Sequence, residues 1–111
     1  MKRKFILRKT SEIDFIFKLN KNKNIRNGFF TLYYAKNNHF KHFKFALSIG
    51  KKYGKSHERN LIKRRLRMII YQNMNMIDPH MSFVLVIKPK AKELDFVGLS
   101  KYFLILIKKI S

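Results

Sequence analysis

Residues 43–50, FKFALSIG, alternate strictly: Phe43, Phe45, Leu47 and Ile49 fall on one face, Lys44, Ala46 and Ser48 on the other. A period of two predicts a strand with one face against a core. Residues 29–36, FFTLYYAK, are rich in aromatic and β-favouring side chains and predict a second strand. Phe29, Thr31, Tyr33 and Ala35 share one of its two faces, and the connector NNHFKH predicts a hairpin joining it to 43–50. Residues 83–88, FVLVIK, are apolar almost throughout, the pattern of a strand covered on both faces, and Pro89 ends it.

Helical spacing accounts for much of the remainder. Thr10 and Ser11 precede EIDFIFKL, and Ser11 followed by Asp14 fits a helix start. A helix over 11–20 puts Ile13, Ile16 and Phe17 on one side, and NKNKNIRNG then reads as a polar, flexible connector. Gly50 and Gly54 bracket a turn carrying Lys51, Lys52, Tyr53 and Lys55, and a helix over 57–73 follows. After Asp95, a predicted N-cap, Leu99, Tyr102, Phe103, Leu106 and Ile110 recur at the spacing of an amphipathic C-terminal helix. The order α-β-β-α-β-α predicts an α+β sandwich. No repeat or Pro/Gly/Ser-rich linker divides the 111 residues, so a single domain over 1–111 is expected.

Charge changes the picture. The 26 Lys and Arg against six acids give a net charge of +20, which favours polyanions and above all nucleic acid. Eleven Phe and five Tyr, in a chain 46% hydrophobic, separate it from a disordered polycation. With no cysteine there is neither a disulfide nor a thiolate metal site, and His39, His42, His57 and His80 lack a ligand spacing, so no metal-binding residue is expected. The apolar FIL near the start is too short for a signal peptide, and YFLILI is too short to span a bilayer. A cytoplasmic protein without a membrane partner is expected.

The densest charge lies in 51–67, with eight Lys and Arg against the single Glu58. Wound at roughly 100° per residue, Arg59, Asn60, Lys63, Arg64 and Arg67 share an arc of about 140°. Ile62, Leu66 and Ile69 cluster opposite, and Arg65 falls outside the arc, at its rim. The aliphatic side would anchor the helix and hold its cations in a defined array, which binds a polyanion at less entropic cost than a flexible tail. Four cations and an amide on one face, preceded by KKYGK, count against a merely solvated basic surface. On the sheet, Tyr33 offers a base-stacking platform or simply packs on a neighbouring helix.

SIGKKYGKSHERNLIKRRLR resembles the signature of the bacterial ribonuclease P protein subunit: a Lys-rich turn, a glycine, an Arg-Asn-Arg element, then Ile-Lys-Arg and a further Arg. LRKTSEIDFIFK is similar to that family's N-terminal helix, FFTLYYA to its first strand and FVLVIKPKAKELDFVGLSKYFLILIKK to its last strand and helix. Leu61 stands at the third position of the Arg-Asn-Arg element. Where the family often carries two aromatics one helical turn apart, this chain has Ile13 and Phe17, or Phe15 if the helix is shifted.

The resemblance implies a small two-layer sandwich with a mixed sheet and a left-handed βαβ crossover, a fold shared with one domain of a small-subunit ribosomal protein. It implies a partner RNA that is itself catalytic and a substrate, precursor tRNA, whose 5′ leader is removed, with Mg2+ required by the assembly and held mainly by RNA. Arg59, Asn60, Lys63, Arg64, Arg65 and Arg67, with Lys51, Lys52 and Lys55, would dock the catalytic RNA. Ile13, Phe17, Tyr33, Lys44 and Ser48 would line a cleft for the single-stranded leader.

The protein itself would carry no catalytic residue. Glu12, Asp14, Glu58, Asp78, Glu93 and Asp95 are scattered, whereas metal-assisted phosphodiester hydrolysis gathers carboxylates around paired cations. A monomer in isolation is expected. The competing readings are a basic ribosomal or general RNA-binding structural protein, a membrane-surface module and a self-sufficient nuclease.

Overall fold

The structure, a computed structural model, describes residues 3–7, 9–19 and 24–110. Among these, β1 (Ile25–Arg26), β2 (Phe30–Lys36), β3 (Lys44–Ile49) and β4 (Met81–Ile87) form one sheet in the order β1-β2-β4-β3. Three helices accompany it: α1 (Thr10–Leu19), α2 (Ser56–Gln72) and α3 (Phe96–Lys109). The sheet is mixed, since β4 runs antiparallel to β2 and parallel to β3.

The expected hairpin between residues 29–36 and 43–50 does not form. β4 lies between the two strands and pairs with both, and the connector 37–42 crosses its end, where Asn37 N–H donates to the His80 carbonyl at 2.8 Å. The physical reason lies in β4 itself. Met81, Phe83, Leu85 and Ile87 fill the main core from one face while Val84 is fully buried on the other. Such a strand loses most by standing at an edge, so it takes the centre.

Nor is the polar connector before residue 29 wholly irregular. Ile25 and Arg26 pair with Leu32 and Thr31 as β1. Asn27 closes the turn: its Oδ1 accepts from the Phe29 and Phe30 N–H groups at 2.9 Å, and its Nδ2 donates to the Tyr102 carbonyl. An Asn that bonds the backbone two residues on is a turn-former in its own right. The predicted end of the first helix, Asn20, lies outside the described residues.

The sheet divides the interior. On one face, Phe30, Leu32, Phe45, Phe83 and Leu85 meet Ile62, Leu66, Ile69 and Ile70 of α2 and Leu99, Phe103, Leu106 and Ile107 of α3, all buried. Asp95 caps α3, accepting the Gly98 N–H at 2.8 Å, as its position predicts. On the other face α1 sets Ile16 against Ala35 and Val84. The short apolar start of the chain is also structural: Phe5 and Leu7 are buried, and Leu7 N–H donates to the Phe45 carbonyl on the outer edge of β3.

The face under α1 consists of three rungs fixed by the register. Ala35, Ser82 and Lys44 form the first, Tyr33, Val84 and Ala46 the second, Thr31, Val86 and Ser48 the third. The third rung adjoins the turn that leads from β3 into α2.

Phe83 sits at the centre of a ring cluster, with centroids 5.8 Å from Phe45, 6.4 Å from Phe43 and 6.3 Å from Phe103. Phe83→Ala should cost about 3–5 kcal/mol in urea unfolding, a large share of a small domain's stability. Loss of less than about 1 kcal/mol would show that this cluster does not organise the core.

Candidate nucleic-acid interface

Burial of one seam orients α2. Ile62, Leu66, Ile69 and Ile70 are all at most 3% exposed, so the opposite side must face solvent. Asn60, Arg64 and Arg67 are exposed there, while Arg59 and Lys63 flank the seam and are half-buried. The structure therefore brings the five expected side chains to one face of one helix. Arg65 is exposed on the other flank, where its charge is felt at Tyr53. Leu61 and Met68 form an exposed apolar strip between Arg65 and the basic arc, and exposed Tyr71 falls within the arc itself. Ile70 falls within the arc's angular range yet is buried, because it lies next to Leu66 at the edge of the seam, while Tyr71 and Gln72 of the same turn are exposed.

The turn before α2 is a short 3-10 segment, Lys51–Tyr53, with Lys51 and Lys52 exposed and Tyr53 buried as its anchor. Burial pushes the Tyr53 hydroxyl above its usual pKa, and the nearby Lys92 charge partly opposes that. Glu58, the one acid in this basic stretch, accepts from the Lys55 N–H at 3.1 Å and pairs with Lys92 at 2.6 Å. Lys92 Nζ also lies 5.8 Å from the centre of the Tyr53 ring. A Cβ on Gly54 would come within 2.9 Å of Glu58 Oε1 and 3.1 Å of Lys92 Nζ, so a side chain there would disturb the pair.

Lys92 thus consumes the only negative charge of the helix and leaves its cations unneutralised. No ion pair within the protein involves Lys51, Lys52, Lys55, Lys63, Arg64, Arg65 or Arg67 among the described contacts. Arg59 Nη2 meets Ser56 Oγ at 3.2 Å, while its buried Nε has no partner within the protein. Reading the sequence overlooked Lys90 and Lys92, which the 3-10 segment Pro89–Glu93 sets beside the basic turn. The alternating lysines of KPKAK were the available signal.

The second group, on the opposite sheet face, is partly assembled. Phe17 meets Tyr33 edge to face with centroids 4.8 Å apart, and Ile13 packs in the same cluster. Tyr33 therefore packs on a helix and, being half-buried, still offers part of its surface. Lys44 and Ser48 lie on the same sheet face but on the first and third rungs, about 13 Å apart along β3. Phe15 does not replace Ile13: it is 61% exposed and lies on the other flank of α1.

Among the described residues no three His, Asp or Glu side chains gather as a metal site. Asp78 pairs with Lys36 at 3.5 Å and accepts the His80 N–H, a bond that holds its carboxyl below the usual range. No helix among the described residues is long and apolar enough to cross a membrane.

The Ribonuclease P family model matches residues 1–111. The ribonuclease P protein component of Onion yellows phytoplasma (strain OY-M) is 57% identical over 104 residues, 94% of this chain and 72% of that protein. Its counterpart in Phytoplasma australiense is 52% identical over 111 residues, 100% of this chain and 95% of that protein. Among solved structures, the RNase P protein from Thermotoga maritima aligns with a TM-score of 0.83 and 28% identity, covering 95% of this chain and 96% of that one.

The Lys92 bond, followed by the Lys55 N–H, lowers the Glu58 pKa below its ordinary 4.5. A carboxyl depressed on folding contributes stability that is complete above its unfolded pKa and lost as pH falls through the folded value. In thermal melts of the RNA-free protein, Glu58→Gln should be less stable than wild type at about pH 6, and the difference should shrink progressively as the pH falls below the carboxyl's ordinary 4.5. A constant difference across that range would show that the Glu58 charge has no part in holding the turn.

Proposed function

The chain belongs to the ribonuclease P family, and from that premise we propose how its two surfaces serve the removal of the 5′ leader from precursor tRNA. As a ribonuclease P protein component it is part of an endoribonuclease assembly that contains an RNA subunit. The basic face of α2, with Lys51, Lys52 and Lys55 of the preceding turn, docks that RNA. Arg65 and Lys90 extend the docking surface at its rim. The single observation that carries this assignment is the polarity of α2, with four aliphatic side chains buried, Asn60, Arg64 and Arg67 exposed, and Arg59 and Lys63 half-buried at their flank. A packed helix presents guanidinium groups in fixed positions, and these suit bidentate contact with phosphate.

The sheet face beside α1 receives the leader, with Ile13, Phe17 and Tyr33 forming the apolar wall and Lys44 and Ser48 the floor. Unpaired bases stack on half-exposed aromatic rings without demanding a sequence. Hydrolysis belongs to the RNA subunit, with Mg2+ held mainly by RNA. In support, Glu58, Asp78 and Asp95 are engaged in an ion pair, an ion pair and a helix cap, and the other acids are dispersed. Those residues do not fit a protein-held pair of metal ions. The protein neutralises phosphate repulsion between the two RNAs and lengthens the substrate's contact surface. A monomeric free protein accords with its strong like charge, and a cytoplasmic site of action accords with its substrate.

Two measurements test the two surfaces separately. Arg64→Glu or Arg67→Glu should weaken binding to the RNA subunit and reduce the slope of log affinity against log salt by roughly one or more. Unchanged binding at every salt concentration would remove α2 from the docking surface. Tyr33→Ala should reduce the preference for precursor over mature tRNA roughly fivefold or more, and Tyr33→Phe, which keeps the ring, should retain it. Equal preference in all three proteins would remove Tyr33 from the leader path.

A further inference from the structure

On the flank of α1 opposite Phe17 and Tyr33 lies a cavity of about 630 Å3 that shares only Lys44 with the leader surface proposed above. Its walls come from the first turns of α1 and from the connector 37–42, and its floor includes Ala35, Ser82 and Lys44 of the first rung. The wheel of α1 explains the separation, because Phe15 and Phe17 point about 200° apart. Phe15 at 61% exposure is the most exposed aromatic ring of the described Phe side chains, in a protein that buries most of the others.

The connector wall is built rather than loose. Asn37 N–H donates to the His80 carbonyl at 2.8 Å, and Asn37 Oδ1 accepts the His39 N–H at 2.9 Å. Phe40 N–H donates to the Asn37 carbonyl at 3.0 Å, and the Phe40 carbonyl lies 2.9 Å from His80 Nδ1. The His42 ring is held edge-on to buried Phe5, with centroids 5.2 Å apart. This network fixes a sequence in which aromatic and basic residues alternate: His39, Phe40, Lys41, His42. Lys41, Lys44 and the two imidazoles face one carboxylate, Glu12, across the cavity.

We propose that this cavity is a second nucleotide-binding site, one that takes a single unpaired nucleotide of the RNA leader. It would hold the base against Phe15 and Phe40, and the phosphate against Lys41 and Lys44. An exposed ring beside cations is the composition that single-stranded nucleic acid selects. Position in the fold specifies which nucleotide. The cavity lies at the Lys44 end of β3, whereas the basic turn begins at Gly50, about 20 Å farther along the strand direction. A leader anchored at the α2 end reaches the cavity with its most distant bound nucleotide. The inference rests on the leader reading above and adds a length requirement to it.

The test uses holoenzyme reconstituted with the cognate RNA subunit and two precursor tRNAs, one with a short leader that reaches Tyr33 and one extended by several nucleotides. Wild-type holoenzyme should bind the long-leader substrate roughly five- to tenfold more tightly than the short one. Phe15→Ala should abolish that gain and leave short-leader affinity unchanged, and Lys41→Glu should do the same while reducing the slope of log affinity against log salt for the long-leader substrate by roughly one or more. Because Phe15 is exposed and alanine favours helix, the substitution leaves α1 intact. A gain that survives in both variants overturns the proposal, as does no gain in wild type or an equal loss at both leader lengths. Failure of wild type to prefer even the short-leader precursor over mature tRNA would overturn the leader reading instead.

Discussion

The burial of one aliphatic seam, Ile62, Leu66, Ile69 and Ile70, against the sheet is the contact on which the other features depend. A chain with a net charge of +20 repels itself, and only apolar burial on this scale can hold its cations close together. The seam does so asymmetrically. It fixes the rotation of α2 about its axis, and that rotation decides which side chains meet solvent as a group. The Glu58–Lys92 pair then ties the start of the helix to the segment after β4, so the preceding lysine turn shares the same frame.

The central position of β4 has a comparable effect on the opposite face. Pairing with β2 on one side and β3 on the other aligns residues far apart in sequence into rungs. Tyr33 and Ala46 become neighbours of Val84 only through that register. α1 lies across this ladder with Ile16 as its keel, and its two flanks overlook different surfaces. One helix of ten residues thus separates an aromatic wall from a basic, aromatic-lined hollow.

Periodicity within a segment was legible in the sequence, and adjacency between segments was not. The alternation of 43–50, the apolar run into β4, the basic arc of α2 and the Asp95 cap each follow from local rules, and each is present. The hairpin expected between β2 and β3 fails because strand order is settled by which strand has two faces to bury, a comparison across the whole chain. β1 escaped notice because two residues held by Asn27 leave no periodic trace. Family likeness drew attention to Ile13 and Phe17, and to Phe15 only as a stand-in for Ile13, whereas the surroundings of Phe15 come from the connector. Lys92 likewise has meaning only beside Glu58, thirty-four positions earlier in the chain.

The N-terminal segment that lies along β3 has one more effect. β3 ends the sheet, and an uncovered strand there would offer its amide and carbonyl groups to any extended chain that passed. Ile6 bridges to Phe45, and the Leu7 N–H takes the Phe45 carbonyl at 2.8 Å. Ile6 and Leu7 therefore act as a selvedge, blocking edge-to-edge growth at the start of β3 and favouring the faces over that margin as the surfaces for recognition.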